Sequence, residues 1–378
     1  MSDAEQQGPR TADPAPLRGA VVGLGMMGRH HARLLQTSGL TTLVGAVDPG
    51  GDRHGAVGDP ALVFPTVGAL LDGAADQRPQ IAIVAVPTEE HLAAVLELVA
   101  AGVHVLVEKP LAEDPDRARE LIAAVRAADV HGVVGHVERC NPALRELRRR
   151  VLGGQLGRVF HVATERIGPF PARIRDVGVV KDLATHDLDL VGWLGDGPVV
   201  TLAAQTQHRM GRAHEDLVNV VGRLEGGTTF TTMVDWLSPT KVRRTRVLGE
   251  RGMLVADTLT ADLTFYANGE VASEWDAART LRGVSEGDMT RYAIARREPL
   301  LVELEGFCAL VRGDEDASVV PLEAGLAAVE LADAVLRSAA AGETVHLVPT
   351  DGPGGPGGLR GRSHDGIADP TDGVEAPR

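Results

Sequence analysis

Between two short apolar runs, GAVV at Gly19–Val22 and LVGAV at Leu43–Val47, the chain reads GLGMMG, Gly23 to Gly28. No other stretch limits the fold so tightly. The three glycines have distinct uses in a strand–turn–helix unit. The first permits the tight turn, the second lets a pyrophosphate approach the backbone, and the third lets the helix pack on the strand. A helix should follow from about Met27 to Thr37 and stop near Gly39. Its free N–H groups, over Gly25, Met26 and Met27, would hold phosphates at the positive end of the helix. Asp48 stands twenty residues after Gly28, at the end of the second apolar run. There it would accept hydrogen bonds from the adenosine ribose hydroxyls and repel a 2′-phosphate, and Pro49 adds no positive charge. NAD rather than NADP is the expected cofactor, with Arg53 the nearby residue that softens the preference.

The following segments keep the same alternation. IAIVAV, Ile81 to Val86, is a continuous apolar run, as expected of a strand covered on both faces. Thr88 can cap a helix carrying Glu89 and Glu90 in its first turn. VHVLVE, a helix over about 114–128, and GVVGHV complete a pattern that implies a parallel, doubly wound sheet over 18–136. Beyond residue 137 the pattern changes. GRVFHVATER, VVTLAAQTQH, DLVNVVGRLE, TTFTTMVDW, KVRRTRVLGE and GMLVADTL follow in close succession, several joined by glycine turns. They imply an α+β domain over 137–348 with a mostly antiparallel sheet, a helix at 179–195 inserted after its first strand, and late helices near 299–312 and 321–341. Residues 1–17 and 349–378 read as disordered tails, too poor in apolar surface to offset ordering entropy.

The chain carries 38 basic and 52 acidic side chains, a formal charge of −14, which argues against nucleic acid or an anionic membrane as partner. The basic cluster RELRRR, Arg145 to Arg150, reads as a solvated helix face. Two cysteines, Cys140 and Cys308, match no metal or redox spacing. With no signal peptide and no apolar run of about 18 residues, a cytoplasmic protein is expected.

Two stretches carry chemistry. VLVEKPL, Val105 to Leu111, ends an apolar strand with Glu108, Lys109 and Pro110, and ligands of open α/β sheets sit beyond the carboxyl ends of strands. VVKDLATHDLDLVGWLG, Val179 to Gly195, read as a helix sets Asp182, His186 and Asp189 on one face. A solvated face, a metal site and a proton-handling site all fit that stretch alone; Asp187 and Asp189 can also merely cap or brace the helix. His30 and His31 read as helix surface.

GLGMMG, Asp48, VPTEEH (Val86 to His91), VEKPLA (Val107 to Ala112) and KDLATHDLDL together resemble the Gfo/Idh/MocA family of sugar and cyclitol dehydrogenases over roughly residues 18–348. The resemblance implies that Pro87, Thr88, His91, Glu108 and Lys109 adjoin the cofactor, though His91 alone reads equally as structural. It implies that Lys109, Asp182 and His186 meet at the substrate beside the nicotinamide. An imidazole with a pKa near neutrality can take a hydroxyl proton, and an ammonium can stabilise the developing alkoxide. His186 is the expected base, with Lys109 the alternative and Asp182 orienting the histidine or a neighbouring hydroxyl. No metal is expected, since hydride chemistry needs none.

A narrower resemblance, in GHVERCNPALRELRRR and ATERIGPFPARIRDVGVVKDLATHDLD, is to the branch that oxidises C3 of UDP-N-acetylglucosamine. Arg139 and Asn141 match cleft positions of that branch, with Cys140 where relatives more often carry an aromatic. Arg166, Arg173 and Arg175 are candidate ligands for a nucleotide-sugar diphosphate; surface salt bridging is the alternative. Inositol or free-sugar oxidation, 3-ketosugar reduction and non-catalytic dinucleotide sensing are the competing functions. Relatives commonly pair through the second sheet, so a homodimer or homotetramer is expected.

Overall fold

A computed structural model describes residues 15–171, 177–269 and 286–347. Almost all of the two expected tails lies outside that range, although Leu17 already begins the first strand. Six parallel strands form the first sheet: β1 (Leu17–Val22), β2 (Thr41–Val47), β3 (Val63–Phe64), β4 (Ile81–Val84), β5 (His104–Glu108) and β6 (Gly132–Gly135). Their order is β3-β2-β1-β4-β5-β6, all neighbours parallel. This is the doubly wound order whose crevice lies where the winding reverses, between β1 and β4. Every residue of β4 is buried, which is why its sequence does not alternate.

Helices α1 (Met26–Thr37), α2 (Val67–Leu71), α3 (His91–Ala100) and α4 (Pro115–Ala127) make the crossovers. The carboxylate of Asp114 caps α4, accepting from the N–H groups of Asp116 and Arg117, both at 2.9 Å. Thr88 does not cap α3: it opens a separate 3₁₀ turn, Thr88–Glu90, and α3 starts only at His91.

After α5 (Pro142–Leu152), strands β7 (Val159–Pro169), β8 (Val199–Gln207), β9 (Leu217–Leu224), β10 (Thr229–Asp235), β11 (Leu237–Gly249), β12 (Gly252–Asp257), β13 (Asp262–Asn268), β14 (Glu286–Arg291) and β15 (Val345–His346) form a nine-stranded sheet. Its order is β14-β13-β12-β11-β7-β10-β9-β8-β15, and β7 with β10 is its parallel pair. One face packs on α6 (Thr185–Leu194) and its neighbours around Phe230, Val162, Val247 and Leu190. The other face carries the exposed side chains Phe160, Val221, Met233 and Leu248.

The late helices do not stay with the second sheet alone. Leu304, Phe307 and Cys308 of α7 (Pro299–Val311) join the core between α1 and the first sheet. In α8 (Leu322–Ala341), Leu322, Ala324 and Val329 pack into the first domain, while Ala332, Ala334 and Val335 pack into the second. Just before α8, the carbonyl of Val320 accepts from Val134 N at 3.0 Å, on the free edge of β6.

Candidate active site

The glycine turn has the shape that its spacing implies. Gly23 has φ +95°, and a Cβ there would lie 2.6 Å from the carbonyl oxygen of Ala85. At Gly28 a Cβ would lie 1.7 Å from the oxygen of Gly23, so only glycine lets α1 sit this close. At Gly25 a Cβ would meet nothing within 4 Å, so the space over this backbone is open. No side chain caps α1, and its first turn holds no acid, so Met26 and Met27 present N–H groups to that space. Asp48 sits beside it at the end of β2. Its Oδ2 accepts from Leu24 N at 2.9 Å and its Oδ1 from Gly50 N at 2.8 Å. These features fit a bound dinucleotide: an open backbone cradle at a helix N-terminus with a carboxylate alongside.

Past β4, Pro87 and Thr88 line the turn into α3, and His91 is buried beneath it. Its ring nitrogens lie 3.1 Å from Val86 O and 3.3 Å from Leu111 O. Burial lowers its pKa, and the ring sits as a brace between the loops that follow β4 and β5. Glu108 likewise faces inward. Its Oε1 is 2.8 Å from His31 Nε2, and His31 is 1% exposed. His31 is thus not helix surface: three residues past Gly28, it points from α1 to the end of β5, while His30 is exposed. Burial raises the Glu108 pKa, but the His31 hydrogen bond and the charges of His31 and Lys109 outweigh it and hold the carboxyl below its usual value.

Lys109, the next residue, turns the other way. Its Nζ donates to the backbone oxygen of Asp182 at 2.9 Å and lies 3.4 Å from the carboxylate Oδ1. The ammonium of the EKP segment and the D-x-x-x-H helix therefore meet, across 73 residues of chain. The segment at 179–195 is not one regular α-helix. Val180–Ala184 forms a π-helical turn, and α6 begins at Thr185. Single π turns inside helices recur at functional sites. Asp182 Oδ2 and His186 Nδ1 are enclosed and make no hydrogen bond among the described residues. Burial, then the charges of Lys109, Arg166, His136 and Arg243, hold the His186 pKa well below its usual value. Its imidazole is neutral at neutral pH, the state a proton acceptor needs.

The other acids of this helix go elsewhere. Asp189 receives Arg139, whose Nε donates to Oδ2 at 2.7 Å while Nη2 donates to Oδ1. Asp187 receives Arg166 Nε, and Arg166 Nη1 donates to Glu138 at 2.8 Å. Asp182, His186 and Asp189 therefore do not converge on one point. Two expected substrate ligands are engaged inside the protein instead. Arg139 and Arg166 are 8% and 5% exposed, and their guanidinium groups neutralise buried carboxylates rather than open onto a cleft. Asn141 is also buried: its Oδ1 caps α5 at Ala143 N (3.0 Å) and its Nδ2 donates to Thr258 O (3.2 Å). Arg173 and Arg175 lie outside the described residues. In the basic cluster, Arg149 and Arg150 pair with Glu146, and Arg148 lies over the Trp193 ring, 4.7 Å from its centroid.

Three further titratable or charged groups in this part of the molecule lie outside the candidate residues read from the sequence. His136, 2% exposed, follows β6 with its Nδ1 3.8 Å from Asp189 Oδ2. Glu303 of α7 is buried with both oxygens unpartnered among the described residues. Arg243 of β11 lies opposite Arg166 in the sheet. His136 alone had a usable cue, its place at the carboxyl end of a parallel strand. Among the described residues, no group of three or more His, Cys, Asp or Glu is arranged to hold a metal ion, and no helix is long and apolar enough to cross a membrane.

Comparison with known proteins agrees with this arrangement. Residues 17–136 match the model of the Gfo/Idh/MocA oxidoreductase family, NAD-binding Rossmann fold, and residues 144–255 match the Gfo/Idh/MocA C-terminal domain. The chain is similar to UDP-N-acetylglucosamine 3-dehydrogenase of Acidithiobacillus ferrooxidans, 29% identical over 77% of this chain and 87% of that protein. A solved structure of that enzyme, GnnA, superposes with a TM-score of 0.73 over 86% of this chain and 98% of that one, at 25% identity. The myo-inositol dehydrogenase Hyg17 of Streptomyces leeuwenhoekii is 34% identical over 62% of this chain and 75% of that protein. The fold is also that of the WlbA dehydrogenase of Bordetella pertussis, solved with NADH and UDP-GlcNAcA (TM-score 0.70, 22% identity, 88% of this chain and 99% of that one). An open glycine cradle with Asp48 beside it, an EKP lysine seated on a D-x-x-x-H helix, and both family models matched in order make this chain a member of the Gfo/Idh/MocA family of oxidoreductases, with the family's NAD-binding Rossmann fold.

Proposed function

We propose that the protein oxidises a secondary alcohol of a sugar, C3 of a UDP-N-acetylhexosamine, with NAD as cofactor. The observation that carries the reading is the seating of Lys109 Nζ on Asp182, one helical turn before a histidine held neutral. Bound NAD supplies a nicotinamide ring that accepts hydride. The chain's own groups handle the proton and the charge. His186 takes the hydroxyl proton at Nε2, since its Nδ1 is enclosed. The Lys109 ammonium holds the same oxygen and stabilises the alkoxide that forms as the proton leaves. Asp182 fixes that ammonium and, through Oδ1, a neighbouring hydroxyl. Asp48 selects NAD over NADP by repelling a 2′-phosphate.

The UDP-sugar substrate is supported by the likeness to the Acidithiobacillus enzyme over most of both chains. A second reading, oxidation of a free polyol such as inositol, is favoured by the higher identity to the Streptomyces enzyme. The apolar open face of the nine-stranded sheet supports a homo-oligomer. The two cysteines, free and buried, suit the reducing cytoplasm. A screen of UDP-sugars, free sugars and cyclitols, followed by NADH absorbance, tests the reaction. Reduction with UDP-N-acetylglucosamine that His186→Ala abolishes is the expected result; wild-type turnover in that variant removes His186 from its role.

A further inference from the structure

Arg243 is a half-buried cation beside the site that forms no ion pair among the described residues. The register of β11 on β7 sets it directly opposite Arg166. Directly opposed residues share a face of the sheet, and like charges so placed repel. Arg166 points from that face into α6 and is neutralised by Asp187 and Glu138. Arg243 has no such partner: its Nη1 donates to the carbonyl oxygens of Ile167 (2.7 Å) and Val242 (2.8 Å), and no carboxylate among the described residues pairs with it. Asp187, Glu138 and Asp235 are near enough to be felt, but the first two are engaged by Arg166, and Asp235 is occupied by Leu237 N and by the N–H and hydroxyl of Ser238. Burial and the charge of Arg166 accordingly lower the Arg243 pKa.

The remaining donors of Arg243, Nε and Nη2, make no hydrogen bond among the described residues and are not sealed from solvent. These two form one edge of the guanidinium, the same edge by which Arg139 grips Asp189. The backbone also departs from regularity here. The β11–β7 register shifts between Leu237 and Val242, immediately before Arg243, and such bulges re-aim side chains beside active sites. Arg243 is close enough to His186 for its charge to depress the imidazole.

The geometry points to Arg243 as a further substrate-binding residue, which grips an oxyanion of the substrate, a carboxylate or a phosphoryl group, through Nε and Nη2 beside His186. This rests on the reading of Lys109 and His186 as the substrate site, and it assigns to Arg243 the part for which Arg166 was a sequence candidate. The test uses the full-length protein with NAD and three probes: myo-inositol, which has no anionic group; UDP-N-acetylglucosamine, which has phosphoryl groups; and UDP-N-acetylglucosaminuronic acid, which adds a carboxylate. In Arg243→Gln, kcat/KM for the anionic probes relative to myo-inositol should fall at least about tenfold, the loss expected for a charge-assisted pair. Arg243→Lys should recover part of that ratio, since it restores charge without the fork, and it carries the comparison if the glutamine variant does not fold. A loss on both UDP-sugars assigns the phosphoryl group; a loss confined to the uronate assigns the carboxylate. An unchanged ratio overturns the assignment. If the wild type reduces NAD with none of the probes, the redox reading fails. Titration calorimetry of the same probes then judges Arg243 separately: at least tenfold weaker anion binding by Arg243→Gln supports it, and equal binding or no binding by either protein overturns it.

Discussion

Glu303→Gln should gain stability relative to the wild type as pH rises from 5.5 to 7.5. Glu303 is 6% exposed, with both carboxylate oxygens enclosed and unpartnered among the described residues. Burial first, and the negative charge of Glu108 second, push its pKa well above the ordinary value. A carboxyl raised in the folded state keeps its proton there, while the unfolded chain releases it above a pKa of about 4.3. Between those two values the unfolded state binds fewer protons, so stability falls as pH rises, by about 1.4 kcal/mol per pH unit. Below the unfolded value the penalty vanishes. Gln carries no titrating proton and removes the slope; any fixed cost of its amide is the same at both pH values and cancels. Each pH unit inside that window widens the gap between the two proteins by about 1.4 kcal/mol, or about 3 to 6 °C in Tm for a cooperative unit of about 150–250 residues. Thermal melts of both proteins at both pH values measure it. A Tm difference that does not change with pH would mean that Glu303 is ionised in the native state, and would refute the reasoning.

Because His186 is held neutral, the acid limb of kcat/KM should lie below pH 6.5, and His186→Ala should lower kcat by at least about 100-fold while leaving NADH fluorescence titrations intact. A limb centred above pH 7 would point to another base. Arg139→Met should destabilise by about 3 kcal/mol or more, because it strands the Asp189 carboxylate in the interior; urea denaturation reads this, and Arg139→Met with Asp189→Leu should recover much of the loss. Burial raises the Cys140 thiol to about 12 and the Cys308 thiol to about 11, so neither should react with a thiol-specific chromogenic disulfide until the protein is denatured.

The parts of this molecule legible in sequence are those with local periods. GLGMMG and the unbroken apolar run of β4 each state their structure within a few residues. The meeting of Lys109 with Asp182 became legible only through resemblance to a family, since no spacing rule reaches across 73 residues. Side-chain pairing at such range stays hidden. Nothing near Arg166 says that it will be consumed by Asp187 and Glu138, and so the exposed-looking segment around it suggested a ligand site. His31 looked like helix surface because polarity was weighed before phase: three residues past Gly28, it shares the face that glycine presses onto β1. The π turn at Val180–Ala184 carries no compositional mark, and strands Asp262–Asn268 and Glu286–Arg291 alternate too little to announce themselves.

The chain is not finished with its first sheet when it leaves it. The free edge of β6 is closed by Val320 and Pro321, and the core beside α1 is filled by Phe307 and Leu304. During synthesis, the dinucleotide half must therefore wait with a bare strand edge and an open hydrophobic flank until nearly two hundred further residues have been made. A ribosome stalled in the second sheet would hold a first sheet whose outer strand and hydrophobic flank are still uncovered.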